Sequence, residues 1–207
     1  MKQVLLLASQ SATRKDLLSQ IHMHFKVIEQ NADERSIDWN LPLEELVMRI
    51  AALKMEKVQM PEMPENSIAF VLTADTLCQD IMGVNHGKPD DYQDAVAKIK
   101  ALRAGSIIAT GFCIEKRELK AGLWHTIERK ISVVTAQCMF MVPDNWIERY
   151  IANSPALEVA GAIAIEGYGL QFLHSVEGSY TAILGLPLYE VRAALEELGF
   201  FADVLSA

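Results

Sequence analysis

The sequence predicts an α/β fold built on a mixed sheet flanked by helices. Two observations carry that expectation. In the first half of the chain, short runs of Val, Leu and Ile alternate with stretches of helical spacing, and the middle holds two long strand-like runs around one turn. Over 207 residues there is no repeated period, low-complexity tract or Gly/Ser linker, so residues 1–207 read as a single domain.

The elements follow in order. Gln3 to Ala8 is a strand of Val and Leu, and Ser11 precedes a helical stretch in which Leu17, Leu18 and Ile21 line one side. Phe25 to Glu29 suggests a second strand. Pro42, Glu44 and Glu45 open a helix whose Leu43, Leu46, Val47, Ile50 and Leu53 recur at helical spacing. Ser67 to Thr73 is an apolar run of the kind buried on both faces, and it ends at Ala74-Asp75-Thr76. Asp90 and Gln93 resemble a capping box for a helix that reaches Leu102, with Gly105 as its stop. Ser106 to Glu115 and Trp124 to Met141 read as antiparallel strands around Lys120-Ala121-Gly122. Further helices cover about Pro143 to Ala152 and Leu188 to Leu198, the last closing at Gly199.

Composition narrows the function classes. Nineteen basic residues against 27 acidic ones give a formal charge of −8, too little cationic surface for a nucleic-acid polymer. A small anionic substrate would need a local cationic pocket, a divalent ion, or both. Cys78, Cys113 and Cys138 have no C-x-x-C spacing, which argues against a disulfide framework or zinc knuckle and fits a reducing, cytoplasmic setting. The run Val4 to Ala8 is too short for a signal sequence, and charges interrupt every apolar stretch before it could span a bilayer. No membrane partner is expected. The histidines are scattered apart from His22 and His24, so a transition-metal centre is not indicated.

Several segments could carry chemistry. Ala8-Ser9-Gln10-Ser11-Ala12-Thr13-Arg14 is a hydroxyl-rich turn from strand to helix, where backbone N–H groups, Ser9, Ser11 and Arg14 could receive phosphates. The plainer alternative has Ser11 capping the helix and Arg14 in solvent. Asp75, at the end of a buried strand, could be a metal or catalytic carboxylate beside Thr76 and the Gly87-Lys88-Pro89 turn, or half of a structural ion pair. Lys54 lies next to an apolar helical stripe and Glu34 in a polar stretch, and for each of them solvent exposure is the ordinary explanation. Glu166, within Ala160-Gly161-Ala162-Ile163-Ala164-Ile165-Glu166-Gly167, is expected to be buried and therefore to meet a cation, backbone donors or a ligand. Glycines there, and in Gly185-Leu186-Pro187, permit close backbone approach.

Taken together and in order, L-L-L-A-S-Q-S-A-T-R-K-D-L-L, A-D-T, G-K-P-D-D-Y-Q-D-A, A-G-A-I-A-I-E-G and G-L-P-L resemble the Maf family of nucleotide pyrophosphatases, from about Val4 to Leu198. The resemblance implies a strongly twisted mixed sheet, two lobes around a central cleft as in inosine triphosphate pyrophosphatase, and a homodimer. It implies hydrolysis of nucleoside triphosphates to monophosphate and pyrophosphate with Mg²⁺ or Mn²⁺. By position, Asp75 would be the catalytic carboxylate, Ser9, Arg14, Lys54 and Lys88 the phosphate ligands, and Glu34 with Asp75 the metal ligands. Thr13, Thr76 and Glu166 fall where the family sets base choice. They match neither its dTTP/UTP-directed pattern of Arg, Thr and Gln nor its 7-methyl-GTP-directed pattern of Trp, Asp and Glu. Ala12 and Thr13 also depart from the usual Pro and Arg. A carboxylate accepts hydrogen bonds only, so Glu166 suggests a guanine-like base that presents two donors. Two other classes stay open: a catalytically silent nucleotide-binding regulator of cell division, which the family's septum-linked name suggests, and a phosphatase removing the terminal phosphate.

Overall fold

The computed structural model describes residues 3–202; the outermost ends of the expected domain lie outside them. Seven strands form one mixed sheet. In chain order the elements are β1 (Leu5–Leu7), α1 (Ala12–Gln20), β2 (Phe25–Val27), α2 (Leu43–Glu56), β3 (Ile68–Asp80), β4 (Asn85–His86), α3 (Tyr92–Leu102), β5 (Ser106–Lys120), β6 (Leu123–Phe140), α4 (Ile147–Asn153), β7 (Leu173–Gly178), α5 (Tyr180–Ile183) and α6 (Leu188–Glu197). The strand order is β2-β1-β3-β5-β6-β7, with β4 paired to β3. β1 runs parallel to β2 and β3, and every other pairing is antiparallel. No helix among the described residues is long and apolar enough to cross a membrane.

β1 is apolar throughout because helices cover both of its faces. Leu5 and Leu7 pack with Leu17 and Leu18 of α1 and Val191 and Leu195 of α6, whereas Leu6 and Ala8 pack with Ala51 and Met55 of α2. The period of two thus sorts the first lobe into two cores. A larger core forms the second lobe, where Ala95, Ile99 and Leu102 of α3 meet Ile147, Tyr150 and Ile151 of α4 over Cys78, Ile108, Cys138 and Phe140. All three cysteines are buried and free.

α2 lies unusually close to the sheet. A Cβ on Gly111 of β5 would stand 2.6 Å from the Val47 carbonyl, so only glycine admits the helix backbone there. Thr73 Oγ1 donates to the Ala51 carbonyl at 2.7 Å and fixes the helix along β3.

Two sequence expectations need correction, and one strand was not expected at all. β3 does not stop at Thr73, because β5 pairs it continuously from Ile68↔Glu118 to Asp80↔Ser106, and Asp75 therefore sits inside a strand. The cap of α3 is Asp91, which accepts from the Asp94 amide at 2.8 Å, while Asp94 accepts from the Asp90 amide at 2.9 Å. The box is real but displaced by one residue. β7 carries too little β-branched or alternating apolar character to be read from sequence; it is a half-exposed edge strand that depends on β6.

Replacing Gly111 with Ala should lower unfolding stability by about 1–3 kcal/mol, the usual cost of overpacking. A denaturant titration checks this, and an unchanged midpoint would mean that α2 can retreat from β5 at little cost.

Candidate active site

The cavity exists because two neighbouring strands have different lengths. The bond from the Ala8 amide to the Leu72 carbonyl, 2.9 Å, closes the β1–β3 ladder, and β3 then continues alone on that side. Beyond that point the turn into α1, the end of α2 and segment 155–166 surround a space of about 360 Å³. Ser9, Thr13, Arg14, Glu34, Lys54, Asp75, Thr76, Lys88 and Glu166 all line it. These are the residues assigned to catalysis, phosphate, metal or base in the sequence, and all of them are gathered there.

Alternation along β3 divides the work between the faces. Asp75 turns toward α2, where its Oδ1 accepts from Lys54 Nζ at 2.7 Å, and the same ammonium reaches Glu34 Oε1 at 2.9 Å. The Lys54 and Asp75 side chains are each only 10% exposed, so the solvent-exposed alternative for Lys54 does not hold. Asp75 Oδ2 is buried without a hydrogen-bond partner. Removing one member of such a pair leaves an uncompensated buried charge, at a cost of about 3–5 kcal/mol. Lys54 also sits in the last turn of α2, where the helix dipole favours a cation.

Thr76, on the opposite face, meets Arg14. The guanidinium donates from Nε to the Gly185 carbonyl at 2.7 Å, from one terminal nitrogen to Ser9 Oγ at 3.2 Å and from the other to Thr76 Oγ1 at 3.1 Å. Ser11 does cap α1, accepting from the Arg14 amide, yet the Arg14 side chain is buried. Burial lowers its pKa, and the charges of Asp75 and then Glu34 oppose that shift. An arginine stays charged under such conditions. Thr110 gives its only hydroxyl proton to the Ala182 carbonyl at 2.7 Å, so Thr76 must be the donor in the 2.8 Å contact between the two threonines.

Glu166 departs from expectation: it is exposed on the rim and makes no side-chain hydrogen bond among the described residues. The buried run Ile163, Ala164 and Ile165 is held by Tyr150, which donates to the Ala162 carbonyl at 2.8 Å and accepts from the Ala164 amide at 2.7 Å. The chain then leaves the core at Gly167, whose φ is +54°, and carries Glu166 out. Partial loss of water around the Glu166 carboxyl, and then Asp16, push its pKa up. Lys88 is likewise exposed on the rim, and its side chain has no partner among the described residues.

Some contributors had no clear signal in the sequence. Thr110 is one hydroxyl in a long strand, and Tyr150 is one more apolar-face residue of a helix. Trp39, which also lines the cavity, is a single aromatic in a polar stretch. Gly185 lay in a segment marked for close approach, but its carbonyl's bond to Arg14 could not be inferred.

Among the described residues no group of three or more His, Cys, Asp or Glu could hold a metal ion. Glu34 and Asp75 are two carboxylates facing one cavity, and one oxygen of each, Glu34 Oε2 and Asp75 Oδ2, has no partner among the described residues. That set fits Mg²⁺ or Mn²⁺, hard ions commonly bound by one or two carboxylates and completed by phosphate and water oxygens.

A family model described as Maf-like protein matches residues 4–198. The chain belongs to the Maf-like family. Among its curated Maf relatives is a dTTP/UTP pyrophosphatase of Caldicellulosiruptor bescii, 34% identical over 197 residues, 95% of this chain and 95% of that protein. A dTTP/UTP pyrophosphatase of Syntrophus aciditrophicus is 33% identical, with 94% of this chain and 90% of the relative aligned. One of Cupriavidus metallidurans is 33% identical, with 96% and 98% aligned. Each of the five ordered sequence motifs of this Maf-like chain contributes at least one residue to the cavity lining.

Tyr150, whose phenol is pushed up to about 12 by burial, is a neutral two-way hydrogen-bonding post. Tyr150→Phe should cost about 1–3 kcal/mol of stability, because the Ala164 amide and Ala162 carbonyl lose their partner. Thermal unfolding of the variant checks this.

Proposed function

We propose that the protein hydrolyses nucleoside triphosphates to the monophosphate and pyrophosphate in this cavity. The observation that carries the reading is the division of the Asp75 carboxylate, with Oδ1 held by Lys54 and Oδ2 free of any partner. Brought to the cavity surface by a small rotation of the carboxylate, that oxygen would orient a water molecule and take its proton as the water attacks the α-phosphorus. Ser9, Arg14, Lys54 and Lys88 would hold the phosphates. Arg14 retains two N–H groups beyond the three bonds it makes, and Lys88 adds an unpaired ammonium, so both can stabilise charge moving onto departing pyrophosphate. Glu34 and Asp75 would hold Mg²⁺ or Mn²⁺, which when bound neutralises phosphate oxygens. The relatives' names support this reaction over release of orthophosphate. The tightly held Lys54–Asp75 pair beside an open cavity supports turnover over a silent regulator.

For the base, the relatives' printed names support dTTP and UTP. The ionised Glu166 carboxylate, an acceptor of two hydrogen bonds, favours a second, guanine-like reading. Its protonated form would present one donor and one acceptor, as an amide does, and so would suit thymine or uracil. We also propose that the protein works as a homodimer, as the family resemblance implies; light scattering should then give about twice the 23.0 kDa chain mass.

Asp75→Asn should lower kcat by about 10² or more and, because it leaves the buried Lys54 with Glu34 alone, also lower the stability of the folded protein. Steady-state assays that measure pyrophosphate and orthophosphate separately check both the role and the reaction, and unchanged turnover would reject Asp75 as the base. Because the Glu166 pKa is raised, its carboxyl gains a proton at a higher pH than an ordinary glutamate as pH falls. The kcat/KM ratio of dTTP to dGTP should therefore rise as pH is lowered, and the rise should disappear in Glu166→Gln. A ratio independent of pH in the parent protein would remove Glu166 from base selection.

A further inference from the structure

A second cavity, of about 550 Å³, adjoins the first, and the two share Glu34, Trp39, Gly87 and Lys88 as a common wall. Under the pyrophosphatase reading, on which this inference rests, that wall is the distal end of the triphosphate site. A group attached to the γ-phosphate would emerge past Lys88 into the second space.

The lining of that space says what the group should be. Trp39 is 37% exposed and is fixed from several sides. Its Nε1 donates to the Glu34 carbonyl at 3.4 Å, and Asn85 Nδ2 donates to the carbonyls of Trp39 at 3.2 Å and Leu41 at 3.1 Å. A Cβ on Gly87 would stand 3.1 Å from the indole edge, so glycine there lets the ring lie close to the Lys88 turn. The charges are balanced: Arg35 and Lys98 face Asp33 and Asp90. Lys98 is occupied by Asp94 at 2.6 Å and the Lys88 carbonyl at 3.0 Å, whereas the Arg35 side chain has no partner among the described residues. With the shared Lys88 and Glu34 counted, Arg35 and Lys88 are the unpartnered cations and three cations still face three carboxylates, so an aromatic in a space of no net charge is poorly suited to a further run of phosphates. It suits a nucleoside, whose base can stack on an aromatic ring while a single phosphate meets the guanidinium.

We propose that this second cavity receives the distal nucleoside of a dinucleoside polyphosphate, so that the enzyme also cleaves two nucleosides joined 5′ to 5′ through three phosphates. The balance is that of the simpler substrate. Water oxygen bonds to the α-phosphorus, the bond from that phosphorus to the bridging oxygen breaks, and the water proton passes to Asp75. The products are a nucleoside monophosphate and a nucleoside diphosphate, without pyrophosphate.

The test compares a dinucleoside triphosphate with the corresponding nucleoside triphosphate, using the whole protein with Mg²⁺ or Mn²⁺ and chromatographic product analysis. Arg35 lines only the second cavity. Arg35→Ala should raise KM for the dinucleotide about tenfold, roughly the weight of one charge-assisted contact, and leave the triphosphate KM unchanged. Trp39→Ala should weaken the dinucleotide more than the triphosphate. Triphosphate hydrolysis with no cleavage of the dinucleotide would overturn this inference alone. So would dinucleotide cleavage indifferent to both substitutions. Failure to hydrolyse either substrate would overturn the pyrophosphatase reading and this inference with it.

Discussion

One ammonium holds the site together. Lys54 stands between Asp75 and Glu34, and its two short contacts bind an element of the sheet, a helix and a loop into one geometry. Burial makes the arrangement consequential. In water such a pair would contribute little, but with the Lys54 and Asp75 side chains nearly enclosed, neither charge can lose its partner without a large desolvation penalty. The carboxylate carrying the oxygen left over is thereby held at the cavity.

The fold supplies this contact through close packing. Gly111 lets α2 lie against β5, Thr73 bonds to the same helix, and Lys54 is carried about one helical turn beyond Ala51 and two beyond Val47. Arg14 approaches from the other face and ties Ser9, Thr76 and Gly185 to one side chain. Most of its donors serve to organise the cavity wall, so it contributes fixed positive potential as well as direct contact. An acidic chain of net charge −8 thus gathers Arg14, Lys54 and Lys88 where its strands diverge in length, beside Glu34, Asp75, Glu158 and Glu166, which balance them.

Much of this was legible in the sequence because the responsible signals are local. Apolar β1, the Ser11 cap and the stripe of α2 each depend on periodicity or capping within a few residues. The site residues were legible as an ordered set of motifs, although none separately outweighed its ordinary explanation. What escaped depends on distant pairing. β3 continues past Thr73 only because β5 accompanies it, which moves Asp75 from a strand end to a strand interior. Glu166 looked buried among small apolar residues, but Tyr150 and Gly167 together turn it outward. Thr110 and Trp39 gain significance only from neighbours remote in sequence.

The coupling between Lys54 and Asp75 is tested most directly by a double-mutant cycle on kcat with Lys54→Met, Asp75→Asn and both together. Because Lys54 holds the Asp75 carboxylate and also faces the phosphates, the double variant should be somewhat slower than Asp75→Asn alone but far short of the product of the two single losses, the non-additivity of groups that work as a unit. Losses that multiply would show two independent contributions and contradict the shared geometry.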